Sequence, residues 1–415
     1  MTSAIVLFAA AYLCIAGRPL PFLRHIDRPA AALVGAVAMV VAGVVTIHEA
    51  FAAIDLQVIA LLLGMMIIAS YLAEAKFFRY TAWLVLMRTR SARSLLWGIV
   101  FVVGALSALL VNDTVCLMLT PLVVAVVAEA ELPPLPYLLA LASASNVGGA
   151  VTFTGNPQNM LIGAAAAGHP SYARFFLLSL PAGAVCLALD AALIGWLFRR
   201  ELPRGPLPPR ETARPFPNWP LAARALGALA LFVALAFAGV SLAGAAMTAA
   251  AGLIVVAQAP PRPVLARIDW SLLMFFAGLF VLVGGLEHAG ALRHGFDAAA
   301  PLLAGGDAAA DAGLVGLTVL ASNLVSNVPF VMVAVAWVPA LPDPTWGYVL
   351  LAFASTLAGN LTLFGSVANI IVFEGAGPRG EIGFLRFLRH GAAITAVTLA
   401  GALAVLAIEH RLGLW

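Results

Sequence analysis

The sequence predicts an all-α polytopic membrane protein with an inverted repeat, about 10–11 transmembrane helices, two re-entrant helical hairpins and two broken helices. Two observations support this fold class. The 415 residues are 63% hydrophobic and only 10% charged, with a mean hydropathy of +1.04, which leaves too little polar surface for a soluble globular protein. In addition, two similar polar stretches interrupt apolar runs 210 residues apart, at 145–159 and 355–369.

The two polar stretches place small and amide residues where a bilayer favours apolar helix. They read SNVGGAVTFTGNPQN and STLAGNLTLFGSVAN. Lipid offers no hydrogen-bonding partner, so the backbone groups freed there must be satisfied by protein, water or bound ions. Paired interruptions in the two halves of a membrane protein indicate the binding site of a transporter.

The remaining apolar runs predict plain helices. The run at 4–16 is interpreted as a retained first helix rather than a signal peptide, because a second run follows without a small-residue cleavage site. Hydropathy and length give the following spans: 3–17, 29–46, 56–73, 95–128, 136–167, 175–198, 220–239, 241–258, 270–286, 296–341, 347–374 and 391–409.

Two of these runs predict hairpins. Run 95–128 is interrupted at Asn112-Asp113-Thr114, which leaves arms of roughly 15 residues, about 22 Å each. Neither arm crosses a hydrocarbon core of about 30 Å, so the run is expected to enter and leave on one side. Run 296–341 has the same form and is interrupted at Ser326-Asn327. The runs 136–167 and 347–374, which contain the polar stretches, are the predicted broken helices.

The distribution of basic residues predicts the orientation. If the first span ends inside and the hairpins enter from opposite sides, the inside loops and the adjoining Arg224 hold 19 of the 22 Lys and Arg residues. Only Arg174, Arg293 and Arg411 fall outside. The positive-inside rule therefore predicts an inner (plasma) membrane protein with both termini outside, and the two halves are inverted.

The chain divides into two transmembrane halves at matching offsets. Ile54-Asp55 and Gly64 recur as Ile268-Asp269 and Gly278, 214 residues later. The predicted division is 1–198, a cytoplasmic linker at 199–219 rich in proline and arginine, and 220–415. The pI near 9.0 does not indicate nucleic-acid binding, because the basic residues lie in short loops between spans.

With these hairpins and interruptions, the chain resembles the ion transporter superfamily. That group includes divalent-anion/sodium symporters, citrate transporters, ArsB-type arsenite permeases, the melanosomal P protein and sodium/proton antiporters. The resemblance implies inverted five-helix repeats, each with a re-entrant hairpin, and a homodimer assembled through scaffold helices. The dicarboxylate branch carries Ser-Asn-Thr at each hairpin tip; here only part of that signature is present, and Gly359-Asn360-Leu361-Thr362 is more similar to the ArsB and P-protein side.

Asp113 is the strongest single candidate for a residue that binds a coupling ion. An ionised carboxylate at bilayer depth costs at least about 2.5 kcal/mol, so it is expected to face a cavity, a cation or a proton relay. The alternative is an Asp that caps the second arm of the hairpin. The sequence thus predicts a sodium or proton site at this tip and no other metal or cofactor, with these coupling-ion residues: Asn112, Asp113, Thr114, Ser145, Asn146 and Asn156.

The other polar residues of the interruptions and the second tip are the candidate substrate ligands. Hard cations take oxygen ligands, and helix N-termini present N–H groups to anions. The alternative is that these side chains only bridge helices and satisfy broken backbone. The candidate substrate-binding residues are Thr152, Thr154, Gly155, Asn159, Ser326, Asn327, Thr356, Asn360, Thr362, Gly365, Ser366 and Asn369.

Two further buried groups have weaker predictions. Asp190, inside the sixth span, is a candidate proton carrier, but local pairing is the preferred interpretation. Cys116 lies three residues beyond Asp113 and is interpreted as a small apolar filler. Neither Cys14, Cys116 nor Cys186 has a spacing typical of disulfide frameworks or zinc sites.

The main functional hypothesis is a secondary active transporter, not an enzyme, that couples a small anion or oxyanion to sodium or protons. The motif segments contain no Lys or Arg, so helix dipoles, amides and a co-bound cation would hold the anion. Arsenite or antimonite efflux is an alternative, because neutral hydroxides need no fixed positive charge. Cation/proton antiport and an ion channel also stay open. The sequence shows no phosphate-binding loop, so it does not support direct ATP-driven pumping.

Overall fold

The computed structural model describes residues 1–15, 26–207, 214–303 and 307–415. Within these ranges the regular secondary structure is entirely helical, with no strands. Eight of the helices are long and apolar enough to cross a membrane. In chain order the α-helices are α1 Thr2–Ile15, α2 Arg28–Val41, α3 Ile47–Ala53, α4 Leu56–Glu74, α5 Phe77–Arg88, α6 Ala92–Leu109, α7 Asn112–Glu129, α8 Pro134–Gly149, α9 Pro157–Ala165, α10 Tyr172–Leu197, α11 Trp219–Phe237, α12 Leu242–Val256, α13 Pro261–Leu265, α14 Trp270–His288, α15 Ala291–Leu303, α16 Asp307–Val325, α17 Asn327–Ala334, α18 Pro344–Ala358, α19 Val367–Gly375 and α20 Phe384–Arg411.

The first ten helices and the last ten correspond in order, and apart from α7 with 18 residues and α17 with 8 their lengths are similar, which confirms the repeat. The second helix of each half packs against the fourth helix of the other half, α2 on α14 and α12 on α4. The two helix pairs approach each other equally closely at one glycine each. A Cβ atom on Gly64 would lie 2.8 Å from the carbonyl carbon of Ala246, and one on Gly278 would lie 2.8 Å from that of Ala32. Glycine at both positions therefore lets the helix backbones touch.

We expect Gly64→Ala to destabilise the packing of α12 on α4. The added methyl group has no space against the Ala246 backbone, and overpacking typically costs about 1–3 kcal/mol. Gly252→Ala on α12 is the matched control, because nothing lies within 4 Å of its Cβ position and alanine is the better helix former. Thermal melting of the two variants in detergent checks the prediction, and equal melting temperatures would contradict it.

The two hairpins are α6–α7 and α16–α17. In the first, both arms are 18 residues long, and the backbone N–H of Asn112 at the tip donates to the carbonyl of Gly155 at 2.8 Å. This bond fixes the tip against the interruption between α8 and α9. The second hairpin turns at Ser326, which has a positive φ of 62°.

Two predicted boundaries are wrong. The second hairpin was expected to begin at 296, but α15 occupies Ala291–Leu303 and the first arm begins at Asp307. The alanine-rich sequence is apolar on both sides of this boundary, so hydropathy does not reveal it; residues 304–306 lie outside the described residues. Likewise, the predicted loop 74–94 contains α5, the counterpart of α15.

The interruptions in the broken helices have local causes. Asn156 caps α9, and its side chain accepts from the N–H of Asn159 at 2.8 Å, while Pro157 occupies the first helical position, where its missing N–H costs nothing. Ser366 caps α19 in the same way and accepts from the N–H of Ala368 at 3.2 Å. Each broken helix thus ends, crosses an irregular segment and restarts with a capped N-terminus.

A candidate binding site between the two interruptions

Two asparagines satisfy the backbone that the interruptions leave without helical partners. The side-chain amide of Asn159 donates to the carbonyls of Gly149, Ala150 and Thr152 at 3.0–3.3 Å. That of Asn369 donates to the carbonyls of Gly359 and Thr362 at 2.7 and 2.9 Å. The two irregular segments therefore persist at membrane depth because each has an internal amide that replaces water.

Glycine permits the chain to double back within each interruption. A Cβ on Gly149 would lie 3.0 Å from the carbonyl oxygen of Gly155, and one on Gly365 would lie 3.0 Å from that of Gly359. Such contacts are tighter than side-chain-bearing residues normally make. Glycine at 149 and 365 therefore permits this turn, and the carbonyl of Gly155 accepts from the N–H of Asn112.

Asn146 at the end of α8 joins the two halves. Its side-chain oxygen accepts from Asn112 at 3.0 Å and from Ser366 at 3.1 Å. Its amide nitrogen donates to the side-chain oxygens of Asn360 at 2.8 Å and Asn369 at 3.4 Å. The side chain thus uses all four of its hydrogen-bonding positions, three of them on the second half.

Thr356 is the counterpart of Asn146 in the second half, 210 residues later. Its hydroxyl accepts from Asn156 at 3.2 Å and from Gln158 at 3.3 Å and donates to Asn159 at 3.3 Å. The contacts of Asn156 and Asn159 with Thr356 repeat those of Ser366 and Asn369 with Asn146. Two equivalent polar clusters therefore meet at the interface of the halves.

A cavity of about 20 Å³ lies beside these clusters, with space for about one water molecule or a small ion. Four helices begin at its wall: α7 at Asn112, α9 at Pro157, α17 at Asn327 and α19 at Val367. Because each N-terminus carries about +0.5 of an elementary charge, the four together approach +2. Leu272, Phe275 and Phe276 of α14 form the apolar part of the wall.

Asp113 lines the same cavity and is 7% exposed. Its backbone N–H donates to the Asn112 side chain at 2.9 Å, but its carboxylate has no hydrogen bond and no ion pair within the described ranges. The helix N-termini are electropositive groups at the wall that Asp113 also lines, and the carboxylate of Asp269, which caps α14, is a further negative charge that acts on Asp113. The combined charge of the N-termini exceeds the single charge of Asp113 by about one unit.

Two amide atoms near the cavity have no partner in the part of the chain that the structure describes. They are the side-chain oxygen of Asn327, which lines the cavity, and the side-chain nitrogen of Asn360, which belongs to the Asn146 cluster. Both residues are 3% exposed. An unpaired buried donor or acceptor typically costs about 1–3 kcal/mol, so these atoms are available for a ligand that supplies the missing bond.

The structure brings most of the sequence-predicted residues together. The two clusters contain Asn112, Asn146, Asn156, Asn159, Thr356, Asn360, Ser366 and Asn369, and the cavity wall adds Asp113, Ser326 and Asn327. The half-buried Thr114 follows Asp113 on α7.

Four other predicted residues bond away from the cavity. Ser145 donates to the Ala142 carbonyl of its own helix at 2.8 Å, and Thr152 donates to the Ala108 carbonyl of the hairpin arm at 2.8 Å. Thr154 contacts the Tyr172 hydroxyl at 3.2 Å, and Thr362 donates to Asn323 at 2.9 Å. Their bonds hold backbone and neighbouring helices, which is the alternative role that the sequence left open.

Sequence reasoning missed Gln158 and Asn323. Gln158 is 4% exposed. The sequence signal that could have identified it is its position within the first polar stretch, between Pro157 and Asn159. Asn323 donates to the Ala358 carbonyl at 2.9 Å and lies one turn before the second hairpin tip. No group of three or more metal-ligating His, Cys, Asp or Glu side chains occurs among the residues that were placed.

Comparison with known proteins identifies the family. The family model described as Citrate transporter (CitMHS) matches residues 11–347. The Silicon efflux transporter LSI3 of Oryza sativa subsp. japonica is 32% identical over 421 residues and covers 86% of each chain. The Uncharacterized transporter Rv2684 of Mycobacterium tuberculosis is also 32% identical and covers 96% of each chain. The Putative transporter arsB of Dictyostelium discoideum is 24% identical and covers 90% of this chain and 86% of its own.

A solved structure supports the same fold. The YdaH transporter of Alcanivorax borkumensis, whose crystal structure is described as having an unusual topology, matches with a TM-score of 0.57 over 99% of this chain and 97% of its own. The sequence identity is 14%, so this likeness concerns the fold alone. Together with the inverted hairpins and the polar clusters between them, the family match establishes that this chain is a membrane transporter of the citrate transporter family, within the ion transporter superfamily.

Proposed function

We propose that this protein is a secondary active transporter for a small oxyacid, carried neutral or with one negative charge, and that a proton or sodium ion at Asp113 couples its movement. The observation that carries the proposal is the unpaired Asp113 carboxylate in a cavity that four helix N-termini surround. One site thereby offers a cation position and an anion position side by side.

The charge balance favours a substrate with few negative charges. The four N-termini supply about +2 and Asp113 supplies −1 when ionised. The charge of Asp269 also acts on Asp113, so the net local charge is at most about +1. The cavity wall, the two polar stretches at 145–159 and 355–369 and the two hairpin tips contain no Lys or Arg. A trivalent anion such as citrate would leave about two charges uncompensated in a medium of low dielectric constant, whereas a monoanion or a neutral hydroxide would not.

Cation binding at Asp113 provides the coupling. When a proton or sodium ion neutralises the carboxylate, the full positive potential of the N-termini acts on the substrate. The affinity for an oxyanion, and for the partially negative oxygens of a neutral hydroxide, rises as a result. The substrate favours cation binding in return, because such coupling is reciprocal. Sodium would take the carboxylate and amide oxygens at the tip, whereas a proton needs the carboxylate alone.

The polarity of the site supports a compact hydroxylated substrate, for which the cavity must widen beyond the space of about one water molecule that it has here. The Asn360 amide nitrogen and the Asn327 amide oxygen provide an unused donor and an unused acceptor, which suit a group that both accepts and donates hydrogen bonds. Arsenous acid and silicic acid are small, carry several hydroxyl groups and are uncharged at neutral pH. The printed names of two relatives, a silicon efflux transporter and a putative arsB transporter, agree with this class.

Cation/proton antiport without an oxyacid is the second candidate. The specific observation in its favour is the same carboxylate, for which two cations would compete. Cation/proton antiport does not require the unused amide donor of Asn360, whereas the proposed oxyacid transport does. Asn360→Leu should therefore abolish oxyacid binding but leave an antiporter active.

We further propose that both termini lie outside the plasma membrane and that two copies associate through the scaffold helices. The first statement is supported by the 19 of 22 Lys and Arg residues on the opposite side, and the second by the superfamily resemblance. Alkaline phosphatase fused to the C-terminus should be active, because that enzyme works outside the membrane. An inactive phosphatase fusion, together with a fluorescent signal from a fluorescent protein fused at the same position, would contradict this orientation.

A binding screen tests the proposed substrate class. Purified protein is melted at two pH values, with and without sodium, in the presence of arsenite, silicic acid, phosphate, sulfate, citrate or a C4-dicarboxylate. We expect stabilisation by arsenite or silicic acid that increases with sodium or with acidification, because a ligand that binds only the folded state raises its stability. Stabilisation by citrate or the dicarboxylate alone would contradict the proposal.

A further inference from the structure

A second buried carboxyl group lies outside the candidate site, on α10. Asp190 is fully buried, and one of its oxygens lies 2.7 Å from the hydroxyl of Ser143 on α8. Its other oxygen is also buried and has no hydrogen-bond partner within the described residues. The predicted local pairing of Asp190 is thus with a neutral hydroxyl, not with a base.

The hydroxyl of Ser143 has two close acceptor-type neighbours but only one hydrogen. It lies 2.8 Å from the carbonyl oxygen of Leu139 and 2.7 Å from the Asp190 oxygen. A carbonyl can only accept, whereas a carboxyl group can donate when it is protonated. Both short contacts become hydrogen bonds if Ser143 donates to Leu139 and a proton on Asp190 is donated to Ser143.

Among the described residues, no charged side chain offsets a negative charge at Asp190. Helices α6, α8, α11 and α20 pack against α10. Of these, α8 carries no charged residue, α6 carries only Arg93, α11 carries only Arg224, and the charged residues and histidines of α20 lie within its first seven and last three positions. None of them forms an ion pair or hydrogen bond with Asp190 in the portions of the chain that were placed. The titratable side chain that interacts with Asp190 is Cys186, which lies one turn away on α10.

We propose that Asp190 is a second proton-binding site, occupied in this state, whose proton fastens α10 to α8 through Ser143. Ser143 lies one helical turn before Asn146, the residue that joins the two halves. Asp190 is therefore a positioning residue: it touches no substrate, but its proton holds the helix that carries Asn146. The inference does not depend on which substrate the protein carries.

Infrared spectroscopy of the purified protein tests this proposal without a transport assay. A protonated carboxyl group has a C=O stretching band that an ionised carboxylate lacks. At neutral pH we expect the wild type to show a component of this band that Asp190→Asn lacks and Asp113→Asn retains, whether or not Asp113 contributes a second component. An identical carboxylic-acid band in wild type and Asp190→Asn, or no such band in either, would overturn the proposal.

A stability measurement separates a titrating group from a merely structural hydrogen bond. Asparagine at 190 retains a donor for Ser143 but cannot ionise. As the pH is raised from about 4, where an aspartate in the unfolded chain ionises, the wild type should lose melting temperature relative to Asp190→Asn until the folded-state carboxyl group itself ionises, because folding over this range requires a bound proton. Parallel pH profiles of the two proteins would show that Asp190 does not titrate with this effect.

Discussion

Asp113→Asn should abolish the effect of the coupling cation on oxyacid binding. In the wild type, saturating sodium or acidification is expected to raise oxyacid affinity by about 5–150-fold, the usual range of coupling between two sites. In the variant this factor should fall to one, because the amide has a similar shape to the carboxylate but cannot hold a proton or a sodium ion. Calorimetric titration of the oxyacid at two pH values, with and without sodium, measures the factor directly.

The matched control for this result is Asp55→Asn. Asp55 caps α4 through hydrogen bonds from Gln57 and Val58 at 2.9 and 3.2 Å, and asparagine is an equally good cap. The control removes one carboxylate at the end of a helix and should leave the coupling factor unchanged. A wild-type coupling factor in Asp113→Asn would contradict the role assigned to Asp113.

Asn146→Leu should remove oxyacid binding and weaken the contact between the two halves. Leucine is close to asparagine in size, but the change leaves Asn112, Asn360, Asn369 and Ser366 without the partner they share. Each buried polar group that loses its partner costs about 1–3 kcal/mol. These costs lower the stability of the protein. Because the oxyacid also loses the site that these side chains form, we expect its affinity to fall at least about a hundredfold, equivalent to about 2.8 kcal/mol of binding free energy, which titration of the purified variant measures.

Two further variants keep this result interpretable. Thr120→Val is the control, because the buried Thr120 hydroxyl donates only to the Cys116 carbonyl of its own helix at 2.7 Å, and it should bind the oxyacid like the wild type. Thr356→Val removes the counterpart of Asn146 and should reduce binding even if Asn146→Leu does not fold. Normal binding in Thr356→Val or in a folded Asn146→Leu would contradict the assignment of the clusters to the site.

The sequence predicted the parts of this fold that depend on local chemistry. Clusters of glycine, asparagine, serine and threonine inside apolar runs are unfavourable as lipid-facing helix, so the interruptions and both hairpin tips were recognisable. The start of the second hairpin was not, because the alanine-rich residues around 300 remain apolar across the boundary between α15 and α16. Helix α5 was missed for the opposite reason: Arg79 and Arg88 make it resemble a basic loop.

The partners within the candidate site required the structure. The offset of 210 residues aligns Asn146 with Thr356, but it does not reveal that each bonds to the opposite half. That pairing depends on how the inverted halves meet. The same is true of Asp190, where the sequence favours local pairing but gives no sign that Ser143, on another helix, is the partner.

Gradient-driven flux in proteoliposomes tests the central claim most directly. The wild-type protein is reconstituted, a pH or sodium gradient is imposed, and internal arsenic or silicon is measured by mass spectrometry alongside labelled citrate. We predict saturable movement of arsenite or silicic acid against its concentration gradient that stops when an ionophore collapses the driving gradient. Flux that is indifferent to both gradients, or accumulation of citrate that arsenite and silicic acid do not inhibit, would contradict the account.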